Sequence, residues 1–435
     1  MAQPSFRELI RVFARIGLLS FGGPAGQIAL MHRELVEQRG WVDEGQYLRA
    51  LNFCHLLPGP EAQQLATYIG WRLQGARGGL AAGLLFVLPG AAVILALSML
   101  YGLAADLAWF DALFLGIKAA VLAIVVQALI RIGRRALNTR FKLALAAIAL
   151  LALFVLDLPF PLVVLGSGGM GMLAAALRPE WLKLAPITPA PSPAVSRRAL
   201  IGRTIVTILA WMLIWAAPMA LVFVALGPDH VLWRIGTFFS QLAMVTFGGA
   251  YAVLAYMAQE AVQSHHWLSA GEMADGLGLA ETTPGPLIMV TQFVGYLAAY
   301  RLPAPFTPLL AGMLGAGLTT WVTFAPCFLW IFAFAPWIER LEHARKLQGG
   351  LAALTAAVVG VIANLTLWFA LHVLFARVGE TRIGMVRLYA PDWASFDGKA
   401  ALLALLAALL MFRLGRGIPS TLAICAAAGL ALGAL

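Results

Sequence analysis

Residues 21–41 read FGGPAGQIALMHRELVEQRGW and are followed by LLPGP at 56–60. Residues 247–267 read FGGAYAVLAYMAQEAVQSHHW and are followed by TTPGP at 282–286. Positions 21–60 align with 247–286 without a gap. Phe21-Gly22-Gly23 falls on Phe247-Gly248-Gly249, Met31 on Met257, Glu34 on Glu260 and Trp41 on Trp267. Pro58-Gly59-Pro60 falls on Pro284-Gly285-Pro286. With a shift of one residue, Gly70-Trp71 then matches Gly295-Tyr296. Chance similarity between apolar sequences would repeat Leu and Ala. FGG, a Trp and PGP at fixed offsets mark one unit present twice.

The solvent of that unit follows from composition. Of 435 residues, 61% are hydrophobic and 11% charged, whereas a soluble domain has roughly 45–50% apolar and about 25% charged residues. A soluble enzyme and a disordered chain are excluded, and the 43 glycines show no collagen period. A polytopic membrane protein remains. The balance of 30 basic against 20 acidic residues, +10, then reads as basic cytoplasmic loops and not as a nucleic-acid surface. Cys54, Cys327 and Cys425 are far apart in apolar surroundings, so no disulfide framework or metal spacing is indicated, and no cofactor is expected. Arg7, Glu8, Arg11 and Arg15 interrupt what would be the apolar core of a cleavable signal.

Long apolar runs at about 78–101, 110–132, 141–157, 159–177, 204–226, 306–335, 348–375, 399–413 and 417–434 mostly suffice to span roughly 30 Å of hydrocarbon. The repeated segments differ. They predict short helices at about 5–20, 24–39, 43–57 and 60–74, and again at 231–246, 250–265, 269–283 and 286–300, broken by Gly and Pro. Asp43 with Gln46 and Ser269 with Glu272 have capping-box spacing just after each repeated Trp. Each repeat reads as two re-entrant hairpins with tips at FGG and PGP. Arg72, Arg77, Arg131, Arg134, Arg135, Arg140, Lys142 and the turns at 340–346 and 413–416 sort to the cytoplasm, and Asp106, Asp157, Asp229 and His230 to the outside. The loop at 377–399, placed outside, is the weak point, because it carries Arg377, Arg382, Arg387 and Lys399 against Glu380, Asp392 and Asp397. The expected fold class is all-α: a polytopic membrane protein of two inverted-topology repeats, each with two broken hairpins and about four spanning helices. The parts are a first repeat at 1–177, a basic Pro-rich cytoplasmic linker at 178–203, an extra spanning helix at 204–229 and an inverted second repeat at 230–435.

A chain break exposed to lipid leaves N–H and C=O groups without partners, so broken helices at membrane depth line a cavity or bind something. Helices starting at Pro24, Pro60, Ala250 and Pro286 would bring four N-termini together, each with unpaired N–H groups and partial positive charge. Such a backbone site fits a compact oxoanion; tight packing alone is the alternative. The candidate substrate-binding residues are therefore Phe21, Gly22, Gly23, Pro24, Pro58, Gly59, Pro60, Phe247, Gly248, Gly249, Pro284, Gly285 and Pro286. Gln27, Asn52, Gln64, Thr282, Thr283 and Gln292 could donate hydrogen bonds to oxygens or make interhelical contacts. Lys118 lies inside the span from Asp111 to Ile132 with no acid nearby in sequence. An ionisable group at that depth is functional by default, with snorkelling as the alternative. Glu34 and Glu260, at matching positions, could carry protons or close ion pairs, Glu34 with Arg33. His55 and Glu281, three residues before each PGP, complete the proton-coupling candidates. Gly166-Ser-Gly168-Gly-Met-Gly171 matches GxGxxG inside an apolar span and reads as helix packing. His32-Arg33-Glu34 and His265-His266 lack zinc-protease spacing, and no metal site is expected.

FGGPAGQIALMHRELVEQRGW with LLPGPEAQQLATYIGW resembles the N-terminal motif region of the chromate ion transporter family. FGGAYAVLAYMAQEAV with GLAETTPGPLIMVTQFVGY resembles its C-terminal counterpart. The chain looks like a long, two-domain bacterial member, the likeness running over about 5–135 and 230–335. The resemblance implies a multi-pass inner-membrane protein that exports chromate, drawing on the membrane potential or proton gradient and conferring chromate resistance. It places Gln27 where many relatives have His. Chromate and sulfate are both tetrahedral dianions, so sulfate is the chemical look-alike. A transporter of sulfate or another oxoanion, a passive anion channel and an intramembrane enzyme are the competing classes. The last would need a nucleophile–base pair or a metal triad, which the sequence does not offer. The partners expected are the oxoanion and the lipid bilayer, with a homodimer open to such a chain.

Overall fold

A computed structural model describes residues 4–21, 23–104, 107–184, 197–247, 250–338 and 344–433. Gly22, Gly248 and Gly249, together with 185–196 of the linker, lie outside the described residues. Sixteen α-helices and one small hairpin of strands make up the described chain. The short helices fall where Gly and Pro predicted breaks: α1 Phe6–Leu19, α2 Gly23–His32, α3 Glu44–His55, then α4 Glu61–Ala104. Helix α4 is two helices in one label. Gln74 (φ −138°) and Gly75 (φ +64°) are non-helical, and the chain turns there between 61–73 and 76–104. The Gln74 side chain there donates through Nε2 to the Pro4 carbonyl at 2.6 Å.

The remaining helices are α5 Ala108–Ala136, α6 Arg140–Phe154, α7 Phe160–Leu177, α8 Arg197–Leu226, α9 Val231–Val245, α10 Ala250–Gln259 and α11 Ala270–Thr282. After them come α12 Val290–Arg301, preceded by a 3₁₀ turn at Leu287–Met289, α13 Pro308–Phe334, α14 Arg345–Leu374, α15 Gly398–Ala408 and α16 Ile418–Gly433. Among the described residues, six stretches are long and apolar enough to cross a bilayer: Glu61–Ala104, Trp109–Ala136, Phe160–Leu177, Leu200–Leu226, Pro308–Trp337 and Arg345–Leu374. At 1.5 Å per residue, the 10- to 15-residue helices of the repeats reach only about 15–22 Å. The duplication survives in backbone detail. Both α2 and α10 end in a π-helical turn, Arg33–Glu37 and Glu260–Ser264.

The chain forms two compact units. The first takes residues up to Met99, Ala185–Val253 and Thr283–Arg345, and so draws on both repeats. Helix α1 starts on a capping box, Ser5 Oγ accepting from the Glu8 amide and Glu8 accepting from the Ser5 amide at 2.9 Å. It buries the stripe Leu9, Val12, Phe13 and Ile16, the i, i+3, i+4, i+7 spacing of one helical face. Met31, Tyr47, Phe53 and Ile69 join that core. Helices α2 and α3 are held together by Tyr47, whose hydroxyl donates to the Ile28 carbonyl at 2.6 Å. Helix α8 leaves Leu213, Leu221 and Val224 more than two-thirds exposed, a surface that only lipid would cover cheaply.

The second unit holds Leu100–Leu184, Leu254–Thr282 and Lys346–Leu435. Helices α5 and α16 cross where Gly116 and Gly429 have no side chain: a Cβ on Gly429 would lie 2.4 Å from the Ala112 carbonyl oxygen. The GxGxxG stretch is a helix contact, with Gly171 against Gly349 and Ala353. The loop at 377–399 folds into an antiparallel hairpin, β1 Val378–Ile383 and β2 Val386–Pro391. Its three arginines are ion-paired in place. Arg382 and Arg387 both pair with Asp157, at 2.6 and 2.5 Å, and Arg377 pairs with Asp392 at 2.8 Å. Buried Arg387 also donates to the Leu153 carbonyl. The loop and Asp157 therefore share one side, and the excess positive charge that set the loop against an outside position is compensated.

At the base of the first hairpin, outside the spans, His32 contacts Glu37 at 3.1 Å and Glu44 at 2.5 Å. The hydrogen bond to Glu44 is the largest cause raising its pKa above the ordinary histidine value, with Glu37 adding to it. A raised folded-state pKa stabilises below the unfolded value of about 6.5 and is lost as pH rises through the folded value. The protection of the α3 N-terminal amides, corrected for intrinsic exchange, is thus expected to fall as pH rises through the folded-state value, and His32→Gln to flatten that dependence. An unchanged profile in His32→Gln would rule the clamp out.

Candidate functional site

The two PGP tips and the residues just before each FGG, Ser20 and Thr246, lie in the first unit, and they are paired crosswise. Ser20 and Thr246 occupy the matching positions just before each FGG. Each ends its helix in an inverse γ-turn, with φ/ψ of −77°/64° and −76°/82°. The following amides close these turns, Phe21 N–H to the Leu19 carbonyl at 2.9 Å and Phe247 N–H to the Val245 carbonyl at 3.0 Å. Each hydroxyl is satisfied by its own helix: Ser20 Oγ donates to the Ile16 carbonyl at 2.5 Å, and Thr246 Oγ1 to the Leu242 carbonyl at 2.6 Å. The turn swings the Ser20 and Thr246 carbonyls away from their helices, where they accept from elsewhere.

The donors come from the opposite repeat. Proline has no N–H and a fixed φ, so a Pro-Gly-Pro tip has a single amide donor, its glycine. Gly59 donates to the Thr246 carbonyl at 2.8 Å, and Gly285 donates to the Ser20 carbonyl at 2.9 Å. Both glycines sit at positive φ, +125° and +96°, which a side chain rarely tolerates. Neither has room for one. A Cβ on Gly59 would lie 2.7 Å from Gln64 Nε2 and 2.9 Å from Cys327 Sγ, and one on Gly285 would lie 3.2 Å from the Gly90 Cα. Gly23 also has positive φ, +70°, and Pro24 follows it in the first turn of α2.

Buried amide side chains tie the tips further. Gln27 Nε2 donates to the Gly285 carbonyl at 2.5 Å and, at 3.4 Å, to the Ser20 carbonyl. Gln64 Nε2 donates to the Pro58 carbonyl at 2.7 Å. Gln292 donates to the Ala91 carbonyl and accepts from the Thr320 hydroxyl, both at 2.9 Å. The Oε1 atoms of Gln27, Gln63 and Gln64 and the hydroxyl of Thr323 are buried without a hydrogen-bond partner, an arrangement that calls for bound water or a ligand. Pro58, Pro60, Thr283, Pro284 and Pro286 are buried, Phe21 is exposed and Phe247 half-buried. Thr282 is exposed and its hydroxyl bonds back to the Leu279 carbonyl at 2.8 Å. Asn52 and His55 lie on the exposed face of α3.

The acidic candidates separate. Glu34 is buried and ion-paired with Arg39 at 2.5 Å and Arg15 at 3.9 Å, and not with Arg33. Its matching residue Glu260 is half-buried at the start of the second π turn, and Glu281 is buried in the last turn of α11. Lys118, in the second unit, has the acid that its sequence neighbourhood lacks. Asp275 of α11 is 3% exposed, with Oδ1 3.3 Å from Lys118 Nζ and Oδ2 accepting from the Tyr101 hydroxyl at 2.7 Å. Sequence reasoning missed Asp275, although a carboxylate midway along the predicted 269–283 helix was the available signal. Both capping pairs form: Asp43 accepts from the Gln46 amide at 2.8 Å, and Ser269 and Glu272 cap each other.

Comparison with known proteins agrees with this duplicated plan. The family model described as chromate transporter matches residues 7–172 and 233–432. The chromate transport protein of Pseudomonas aeruginosa is 32% identical over 394 residues, 88% of this chain and 85% of that one. A probable chromate transport protein of Synechococcus elongatus is 29% identical over 361 residues, 83% of each chain. The chromate transport protein of Cupriavidus metallidurans is 28% identical over 361 residues, 82% of this chain and 81% of that one. No solved structure gives a significant match.

Proposed function

The chain belongs to the chromate transporter family, and from that premise we propose that it exports chromate across the bacterial inner membrane by secondary transport, conferring chromate resistance. The observation that carries the reading is the crossed pairing of tips. It makes one structure out of the chain breaks of both repeats. With the glycine amides engaged, the groups left for an oxoanion are the first-turn amides of α2, 61–73 and α10 and those of Leu287 and Ile288 ahead of α12. Helix N-termini of this kind favour a compact anion without demanding a basic side chain at the same spot. Two inverted repeats with re-entrant hairpins supply the moving parts: releasing one of the two crossed hydrogen bonds while the other holds would switch the side to which the tips open.

The dianion is expelled by an inside-negative potential, at about 2.3 kcal/mol per charge per 100 mV. Everted vesicles test the reading. Energised vesicles containing the protein are expected to accumulate labelled chromate, with excess unlabelled chromate competing. Accumulation of sulfate without chromate would instead make sulfate the cargo. Equilibration of chromate without concentration under an imposed potential and proton gradient would indicate a channel.

A further inference from the structure

In the second unit, Lys118 points into a cavity of about 170 Å³ lined by Leu115 and Lys118 of α5, Ala270, Gly271 and Ala274 of α11, His372 of α14, and Asp397. At roughly 30 Å³ per water, that volume exceeds what one compact tetrahedral oxoanion fills. Its lining suits an anion through Lys118, whose side chain is one-quarter exposed. The first turn of the 13-residue helix α11 also borders the cavity, with the Glu272 carboxylate that caps it offsetting its dipole. Gly271 leaves the space open, since a Cβ on it would stand 3.4 Å from Lys118 Nζ. Two carboxylates oppose an anion: Asp397, whose charge is partly met by the Lys399 and Ala400 amides, and Asp275, which holds the ammonium through Oδ1.

We propose that this cavity is a second oxoanion subsite, switched on by a proton on Asp275. The inference rests on the transport reading above. A proton taken from cavity water binds Asp275 Oδ1, in place of the contact with Lys118. Oδ2 keeps its hydrogen bond from Tyr101. Lys118 retains its charge and, released from the carboxylate, turns to the oxoanion. When the proton leaves, the carboxylate recaptures Lys118 and the anion loses its counter-charge. Proton and oxoanion thus bind with positive linkage: each raises the other's affinity, and the pair carries one net negative charge, which an inside-negative potential still expels. The other charged and titratable groups around Asp275 do not replace it. Glu272 is bound to the Ser269 amide. Asp397 is bound to the amides of Lys399 and Ala400, capping α15. His372 contacts the Trp368 carbonyl, and Cys425 of α16 lies against Gly116.

The full-length protein in proteoliposomes decides this, with the membrane potential clamped at zero. Initial rates of labelled chromate flux are measured with and without a pH gradient. In the wild type, flux is expected to increase in the direction in which protons run down their gradient. In Asp275→Asn, the ratio of the two rates is expected to fall to one, whatever the absolute rate. Tyr101→Phe removes a hydrogen bond that favours the charged carboxylate, so the pH midpoint of flux is expected to rise by roughly one unit. A purely structural ion pair would leave that midpoint in place, so Tyr101→Phe decides even where Asp275→Asn does not insert. A wild-type ratio in Asp275→Asn, or an unmoved midpoint in Tyr101→Phe, overturns the proposal. A wild type that carries chromate with no response to the pH gradient overturns this proposal alone, whereas one that carries no oxoanion removes the transport reading as well.

Discussion

Gly59→Ala is expected to cost about 2–6 kcal/mol of stability and to abolish chromate transport. Two penalties combine at this position. The backbone at φ +125° lies where L-residues are strained by about 1–3 kcal/mol. The new methyl would also stand 2.7 Å from Gln64 Nε2 and 2.9 Å from Cys327 Sγ, and overpacking of this kind adds about 1–3 kcal/mol. Relief by moving the tip breaks the Gly59–Thr246 hydrogen bond, the one donor that this Pro-Gly-Pro segment has. Gly285→Ala should follow the same course with a smaller loss, because its nearest obstacle is 3.2 Å away. Gly40→Ala is the control: φ is also positive, +58°, but nothing lies within 4 Å, so it should cost about 1–2 kcal/mol and keep transport. Melting in detergent and chromate uptake measure all three. Equal melting points for Gly59→Ala and Gly40→Ala would mean that the tip is not close-packed as described.

The order of helices was legible because Gly and Pro interrupt apolar runs where the chain turns. Even the break at Gln74–Gly75 lay between the predicted 60–74 helix and the 78–101 span. The duplicated motif also located the tips. What it could not show is that each FGG meets the PGP of the other repeat, since a repeat aligns positions without saying which of them touch. The matched hydroxyl residues Ser20 and Thr246 were the trace of it. Asn52 and His55 were singled out by closeness to PGP along the chain, but α3 carries them to its exposed face. Asp275 escaped notice because Lys118 was read against its neighbours in sequence, and an ion pair between distant helices leaves no local pattern. The hairpin β1–β2 was hidden for another reason. Its alternation around Gly384 was read only as loop charge, while the pairing that neutralises Arg382 and Arg387 is tertiary.

Gly70→Ala and Gly295→Ala should each cost about 1–3 kcal/mol and impair transport, for a reason shared by the two repeats. Behind each PGP tip, a short helix packs backbone to backbone on the next one. A Cβ on Gly70 would lie 2.4 Å from the Gly78 carbonyl oxygen, and one on Gly78 2.3 Å from that of Gly70. On the other side, a Cβ on Gly295 would lie 2.0 Å from Thr319 Oγ1, and one on Gly315 2.3 Å from the Gly295 carbonyl oxygen. Such crossings of small residues are how helices associate closely in lipid. The repeats differ by one residue between PGP and this glycine, ten steps from Pro60 to Gly70 against nine from Pro286 to Gly295. Helix type absorbs the difference. The second repeat begins with a 3₁₀ turn at Leu287–Met289, and three residues at about 2.0 Å plus six at about 1.5 Å rise roughly 15 Å, as ten α-helical residues do. Each glycine therefore sits at one depth behind its tip, and an added methyl displaces that tip with its helix. Gly166→Ala is the contrasting case: it is helical with nothing within 4 Å, so alanine should leave stability unchanged or raise it by up to about 1 kcal/mol. Melting curves of Gly70→Ala, Gly295→Ala and Gly166→Ala should split by sign, and a Gly70→Ala protein as stable as the parent would show that the two helices have slack at the crossing.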